Sequence, residues 1–195
     1  MAARRRSGSA TVGATDTHVG PELKRLRTRA GLSLRTLAAR AGFSASFLSL
    51  LEKGRVSPSI ASLERIAGAL GVTIVDLLRS RQPAHHGVVR GDARPAFTSS
   101  WSRARIEALS GADTGHLEAL AVTIAPSGTS GAHLAEHPRD QFAFQLKGAL
   151  ALFMGDQRIE VKAGDAITIP AGTPHRWQNQ GRRPAQILLV MPRTR

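Results

Sequence analysis

The stretch from Ser33 to Gly54, SLRTLAARAGFSASFLSLLEKG, admits few folds. Two segments with apolar residues at helical spacing stand on either side of Ala41-Gly42-Phe43, and so short a connection containing glycine forces a sharp angle between helices. Ser33 and Ser44 each precede a segment, where a short hydroxyl side chain suits a helix N-cap. Leu34, Leu37, Ala38 and Ala41 form the inner face of the first helix. At about 100° per residue the second helix sorts into two faces, Ser44, Leu48, Leu51 and Glu52 on one and Ser46, Ser49, Leu50 and Lys53 on the other. The second set faces outward. Serines, a lysine and an aliphatic side chain there suit hydrogen bonds to base edges, phosphate contacts and a thymine methyl. Helical hairpins with polar outer faces also occur in proteins that never touch DNA.

Further caps extend the pattern to five helices between residues 19 and 79. Gly20-Pro21 opens the first and Gly31 closes it. Ser57-Pro58 reads as the cap and first turn of the fourth, whose inward stripe is Ile60, Leu63, Ile66, Ala67 and Leu70. Thr73 with Asp76 three residues on begins the fifth.

Charge agrees with a polyanionic partner. The net charge is +13, and 14 Lys/Arg against 5 Asp/Glu fall within the first 82 residues. A basic block of this kind attracts nucleic acid, although a solvated basic surface has the same composition. Residues 1–18, with Arg4-Arg5-Arg6 and no apolar periodicity, are expected to be a disordered basic arm. No apolar run approaches the ~20 residues of a membrane helix, and no secretory signal follows the arginines. The absence of cysteine excludes disulfides and thiolate metal sites. These features point to a cytoplasmic protein without a membrane partner.

The stretch LKRLRTRAGLSLRTLAARAGFSASFLSLLEKGRVSPSIASLERIAGALGV resembles the Cro/repressor (XRE-type) DNA-binding domain over about residues 19–79. Leu32-Ser33-Leu34, Ala41-Gly42, Leu51-Glu52-Lys53-Gly54, Pro58 and Leu70-Gly71-Val72 carry the likeness. It implies a five-helix, lambda-repressor-like domain that places Arg35, Ser44, Ser46, Phe47, Ser49, Leu50, Lys53 and Arg55 at a double-stranded operator. It also implies an ion pair between Arg27 and Glu52. Leu50 departs from the polar residue usual at its position, so the family's base preference does not transfer.

Residues 80–95 read as a linker, and the pattern then changes to short apolar or alternating runs between turn signals. Strands are expected at 103–109, 117–125, 142–147, 149–154, 158–161, 166–169, 174–178 and 186–191, with glycine turns at Lys147-Gly148 and Gly155-Asp156. Regularly spaced short strands indicate an all-β sandwich or barrel over 96–195.

GDAITIPAGTPHRWQNQG, residues 164–181, resembles the second motif of the cupin superfamily through Gly164, Pro170, Gly172, His175 and Asn179. Aligning the first motif on Gly148 puts Gln141 on its glutamate, His137 on its second histidine and Ala135 on its first. The whole chain thus resembles an α + β two-domain XRE regulator with a C-terminal cupin, a double-stranded β-helix or jelly-roll barrel. That likeness implies a homodimer and a small-molecule effector. Two of four customary metal ligands are replaced. His137, Gln141 and His175 would be the donors if a divalent metal binds, but two imidazoles and a neutral amide are a poor set. His133 lies about 13 Å from His137 along an extended strand. No metal cofactor and no catalytic residue is therefore expected.

His175, Trp177 and Asn179 alternate with period two, as do Gln141, Ala143 and Gln145, so each trio shares a strand face. Turned inward, His137, Gln141, Gln145, His175 and Trp177 would line a ligand pocket. They could equally satisfy one another in a packed core. The competing function is a metal-dependent cupin oxidoreductase with an accessory helix-turn-helix, built on His137 and His175, against which Gln141 speaks.

Overall fold

A computed structural model describes residues 19–78, 88–111 and 115–193. The expected arm at 1–18, residue 79 at the end of the expected helical domain and residues 80–87 of the expected linker lie outside the described residues. No described helix is long and apolar enough to cross a membrane.

The helical domain comprises α1 (Val19–Arg29), α2 (Leu34–Ala41), α3 (Ala45–Glu52), α4 (Ile60–Leu70) and α5 (Ile74–Leu77). Side-chain caps set the boundaries. The Ser33 hydroxyl accepts from the Thr36 N–H, Ser44 from Phe47 and Thr73 from Asp76, whose carboxylate in turn accepts from the Thr73 N–H. Gly42 ends α2 at φ 67°, a left-handed turn that glycine makes without strain. The α4 cap differs from expectation. Ser59, not Ser57, accepts from the Ser62 N–H, and the Ser57 hydroxyl instead accepts from the backbone N–H of Ser100 in the second domain. Leu23, Leu37, Leu48, Leu51, Leu63, Ile66, Leu77 and Leu78 are fully enclosed between the helices.

Among the described residues the second domain holds nine antiparallel strands: β1 (Ala96–Ser99), β2 (Ala104–Ala108), β3 (Leu117–Ile124), β4 (Gln141–Lys147), β5 (Ala149–Met154), β6 (Gln157–Lys162), β7 (Ala166–Ile169), β8 (His175–Gln178) and β9 (Ala185–Pro192). One sheet has the order β1-β2-β3-β9-β4-β7 and the other β6-β5-β8. Sequence patterning located eight of these strands and missed β1, whose four residues carry only Ala96 and Phe97 as apolar signal. The β5–β6 hairpin closes through the two residues Gly155-Asp156, with Gly155 at φ 54° as such a turn requires. Inward side chains of both sheets, among them Ile106, Leu120, Ile124, Leu152, Ile169, Trp177 and Ile187, form the barrel core.

The two domains are bonded along a seam. The Ser99 hydroxyl donates to the Pro58 carbonyl at 2.7 Å. Near the start of α4 the Ala61 N–H finds the Ser130 carbonyl at 3.1 Å, and near that of α5 the Val75 N–H finds the buried Glu118 carboxylate at 3.1 Å. Helix N-termini leave such donors without intrahelical partners, and here the barrel supplies the acceptors. Arg193 pairs with Asp76 at 3.0 Å, and Arg139 holds the other Glu118 oxygen at 2.9 Å.

Candidate functional site

The outer surface of α3 is built by what its inner surface must do. Leu48 and Leu51 are buried and Glu52 is drawn back to α1, where Arg27 Nε and Nη2 meet its two carboxylate oxygens at 2.6 and 3.0 Å. A third Arg27 nitrogen donates to the Leu32 carbonyl at 2.8 Å, so one guanidinium joins α1, the start of α2 and the end of α3. This leaves Ser46, Leu50 and Lys53 exposed, with Leu50 at 41% of its full accessibility, and Arg55 exposed just beyond. An exposed leucine at the centre of a polar helix face contributes nothing to the core. Ser49 is half-buried beside them, and Arg35 is exposed in the first turn of α2. The Ser44 hydroxyl is engaged with the Phe47 N–H at 3.1 Å and the Ser46 hydroxyl at 3.0 Å. Phe47 is half-buried with its ring 5.0 Å from that of Phe43, at the side of the face rather than on it.

Within the barrel, Gln141, Ala143 and Gln145 on β4 and His175, Trp177 and Asn179 on or just after β8 are all buried, so both period-two trios face inward. Gln141 and His175 meet directly, Oε1 to Nε2 at 3.1 Å. His175 Nδ1 lies 2.9 Å from the Thr173 carbonyl, which only accepts, so Nδ1 carries a proton. Burial holds the His175 pKa below its usual value, the Thr173 bond opposing and the nearby His137 charge assisting. The neutral ring then accepts at Nε2, which requires Gln141 to turn its amide N–H toward it. Gln145 donates to the Lys147 carbonyl at 2.9 Å, across a register shift in β4. Its Oε1 and Trp177 Nε1 are buried without a partner among the described residues.

His137 does not complete this cluster. Its Nε2 lies 2.8 Å from Glu64 on α4, with both side chains largely withdrawn from water. Burial opposes protonation, but the charge and hydrogen bond of Glu64 together outweigh it and raise the His137 pKa; Arg139 acts against and Glu118 in favour. His137, its pKa raised, thus stands beside His175, whose pKa is lowered, their rings 5.2 Å apart. Glu64 is the residue that sequence reasoning missed. It belongs to another domain, and no spacing links it to position 137.

These residues do not fit a metal centre. Ala135, aligned above with the first histidine of the cupin motif, offers only a methyl group and pairs its backbone with that of His175. His137 Nε2 is committed to Glu64, and among the described residues no three His, Cys, Asp or Glu converge. His133 is exposed on the loop before Ala135.

Comparison with known proteins agrees with both halves of the structure. Residues 18–80 match the helix-turn-helix domain family and residues 120–191 the cupin domain family. The HTH-type transcriptional regulator y4dJ of Sinorhizobium fredii is 45% identical over 60 residues, 31% of this chain and 78% of that protein. PuuR, an HTH-type transcriptional regulator of Escherichia coli, is 25% identical over 161 residues, 82% of this chain and 86% of its own. The crystal structure of an HTH_3 family transcriptional regulator from Vibrio cholerae superposes with a TM-score of 0.68 at 24% identity, over 92% of this chain and 97% of the other, and so shares the fold. The chain belongs to the helix-turn-helix transcriptional regulators, with a cupin domain joined to its DNA-binding domain.

Proposed function

We propose that this regulator reads a double-stranded operator as a homodimer and that its barrel binds a small-molecule effector, without catalysing a reaction. The observation that carries the reading is the exposed Ser46–Leu50–Lys53 face of α3, held at a set angle by Arg27 and Glu52. A helix presented in this way suits a major groove, with Ser46, Ser49 and Leu50 at bases and Lys53, Arg55 and Arg35 toward phosphates.

The outer face of the larger sheet supports pairing of two chains. Phe142 lies opposite Val190 and Phe144 opposite Leu188, while Ala119 flanks Val190 from the other side. Phe142 and Leu117 remain 43% and 57% accessible. An apolar sheet face of this kind suits a self-complementary twofold contact, and a dimer matches an operator of two half-sites. Inside the barrel, the unpartnered Gln145 acceptor and Trp177 donor support a small polar ligand. Gln141 at the carboxylate position supports a non-catalytic role.

The test is a footprint on the DNA upstream of its own coding sequence, repeated with metabolite extracts, together with light-scattering mass for the native chain and Phe142→Asp. Protection of paired half-sites that an extract alters, and a dimer that Phe142→Asp splits, are the expected results. A monomer with no DNA preference would overturn the reading.

A further inference from the structure

Among the described residues, three cavities take walls from both domains, and two of these adjoin. The first, about 550 Å³, is bounded by Phe43, Phe47 and Arg65 of the reader and by Trp101, Leu134 and Glu136 of the barrel. The second, about 360 Å³, is bounded by Glu64, His137 and Arg139. Ala61, Arg65, Ala135 and Glu136 line both, so the two spaces adjoin at a charged waist. Volumes of this size at a domain junction suit a small molecule.

The walls are chemically unequal. Phe43 and Phe47 set one wall of the larger space, and Trp101, half accessible, faces it from the β1–β2 turn. Ser99 and Ser100 anchor that turn to the α3–α4 loop, so the indole is held there rather than free to collapse into the core. Arg65 is fixed on the reader side, its guanidinium 4.5 Å over the Phe43 ring and one nitrogen 3.2 Å from the Gly42 carbonyl. A guanidinium has five N–H donors, so this bond leaves most of them available. Glu136 is exposed on the barrel side, and no ion pair among the described residues joins it to Arg65. A cation and an anion thus border one space from opposite walls, next to an aromatic lining.

We propose that the seam binds a zwitterion with an apolar body, an amino acid bearing an aromatic or aliphatic side chain. Its carboxylate pairs with Arg65, its ammonium with Glu136, and its side chain packs among Phe43, Phe47 and Trp101. As an effector site this rests on the regulator reading above. Phe47 belongs to α3, so a molecule bound here touches the DNA-reading helix and the barrel at once, and its affinity is coupled to how the two are docked.

The experiment titrates L-phenylalanine into the full chain by calorimetry and indole fluorescence, with 3-phenylpropionate and phenethylamine as probes that each lack one charge. Saturable binding at about 1 mM or tighter is expected, with each single-charge probe about tenfold weaker. Glu136→Gln, at an exposed position, and Arg65→Ala should each weaken L-phenylalanine by about tenfold, while Lys162→Ala, exposed on β6 away from both cavities, leaves it unchanged. Absence of saturation by L-phenylalanine, L-leucine and L-tryptophan up to about 10 mM overturns the proposal, as does full affinity in both seam variants. Retardation of a duplex by the same preparations separates the two readings. Amino-acid binding without any DNA binding sinks the regulator reading alone, and DNA binding without amino-acid binding sinks the seam site alone.

Discussion

His137 of the barrel and Glu64 of the DNA-binding domain meet across the seam at 2.8 Å, each with most of its side chain removed from water. Helix α4 carries Glu64, and the α3–α4 loop before it is bonded to β1. The barrel and the helical domain are therefore tied at two points, through Glu64 and through the loop before α4.

The pair should make docking depend on pH. Because the folded His137 pKa is raised, its stabilisation is complete below the unfolded value of about 6.5 and is lost as pH rises through the folded value. His175 acts oppositely: its folded pKa is lowered, so its contribution is present above about 6.5 and lost as pH falls. Imidazole NMR titration should place His137 above His175. In Glu64→Gln, burial alone remains to act strongly on His137, and its pKa should drop below the ordinary histidine value. An unmoved titration would show that Glu64 does not hold the proton.

Arg27→Ala leaves a nearly inaccessible Glu52 carboxylate without its bidentate partner and frees the Leu32 carbonyl. Urea unfolding should show a loss of about 2 kcal/mol, less than breaking a fully buried ion pair costs because Arg27 retains some contact with water. Operator affinity should fall further than stability accounts for, since α3 loses its tether. A stability change under about 0.5 kcal/mol would mean the pair is incidental.

Ser46→Ala and Leu50→Ala remove groups from the exposed face of α3 and should leave the thermal midpoint nearly unchanged. Each is expected to weaken specific binding about tenfold and to spare binding to unrelated duplex. Lys53→Ala should lower affinity for both DNAs and reduce the slope of log affinity against log salt by about 1. Equal losses on both duplexes for Ser46→Ala would remove it from base reading.

Gln141→Glu places a carboxylate beside the His175 Nε2, where the amide now stands at 3.1 Å. Affinity for iron(II) or zinc should rise by at least about tenfold, because an anionic oxygen replaces a neutral one. Calorimetry on chelator-treated protein reads this directly. No gain would mean that Glu64 keeps His137 from turning toward the ion.

Much of the fold was legible because local rules set it. Helix caps at Ser33, Ser44 and Thr73, the left-handed Gly42 and the two-residue Gly155-Asp156 turn each depend on neighbours within a few residues. Ser57 misled for the opposite reason. Its hydroxyl resembles a cap in sequence but is drawn to Ser100, a partner 43 residues away, while Ser59 takes the helix. Strand β1 carried too little alternation to be read alone, and its pairing with β2 decides it. The inward trios on β4 and β8 were legible from their period of two, but the contact between Gln141 and His175 depends on how two sheets face one another.

The sequence by itself determined the caps at Ser33, Ser44 and Thr73, the periodicities and the outward side of α3, since these depend on side-chain type and short-range geometry. Only the tertiary structure decided that His137 would bind Glu64 rather than join His175, and that the two domains would enclose a seam lined by Phe47, Arg65, Trp101 and Glu136. Those pairings join residues far apart in the chain. They exist because two separately folded surfaces happen to be complementary in shape and charge, a property that no short stretch of either one contains.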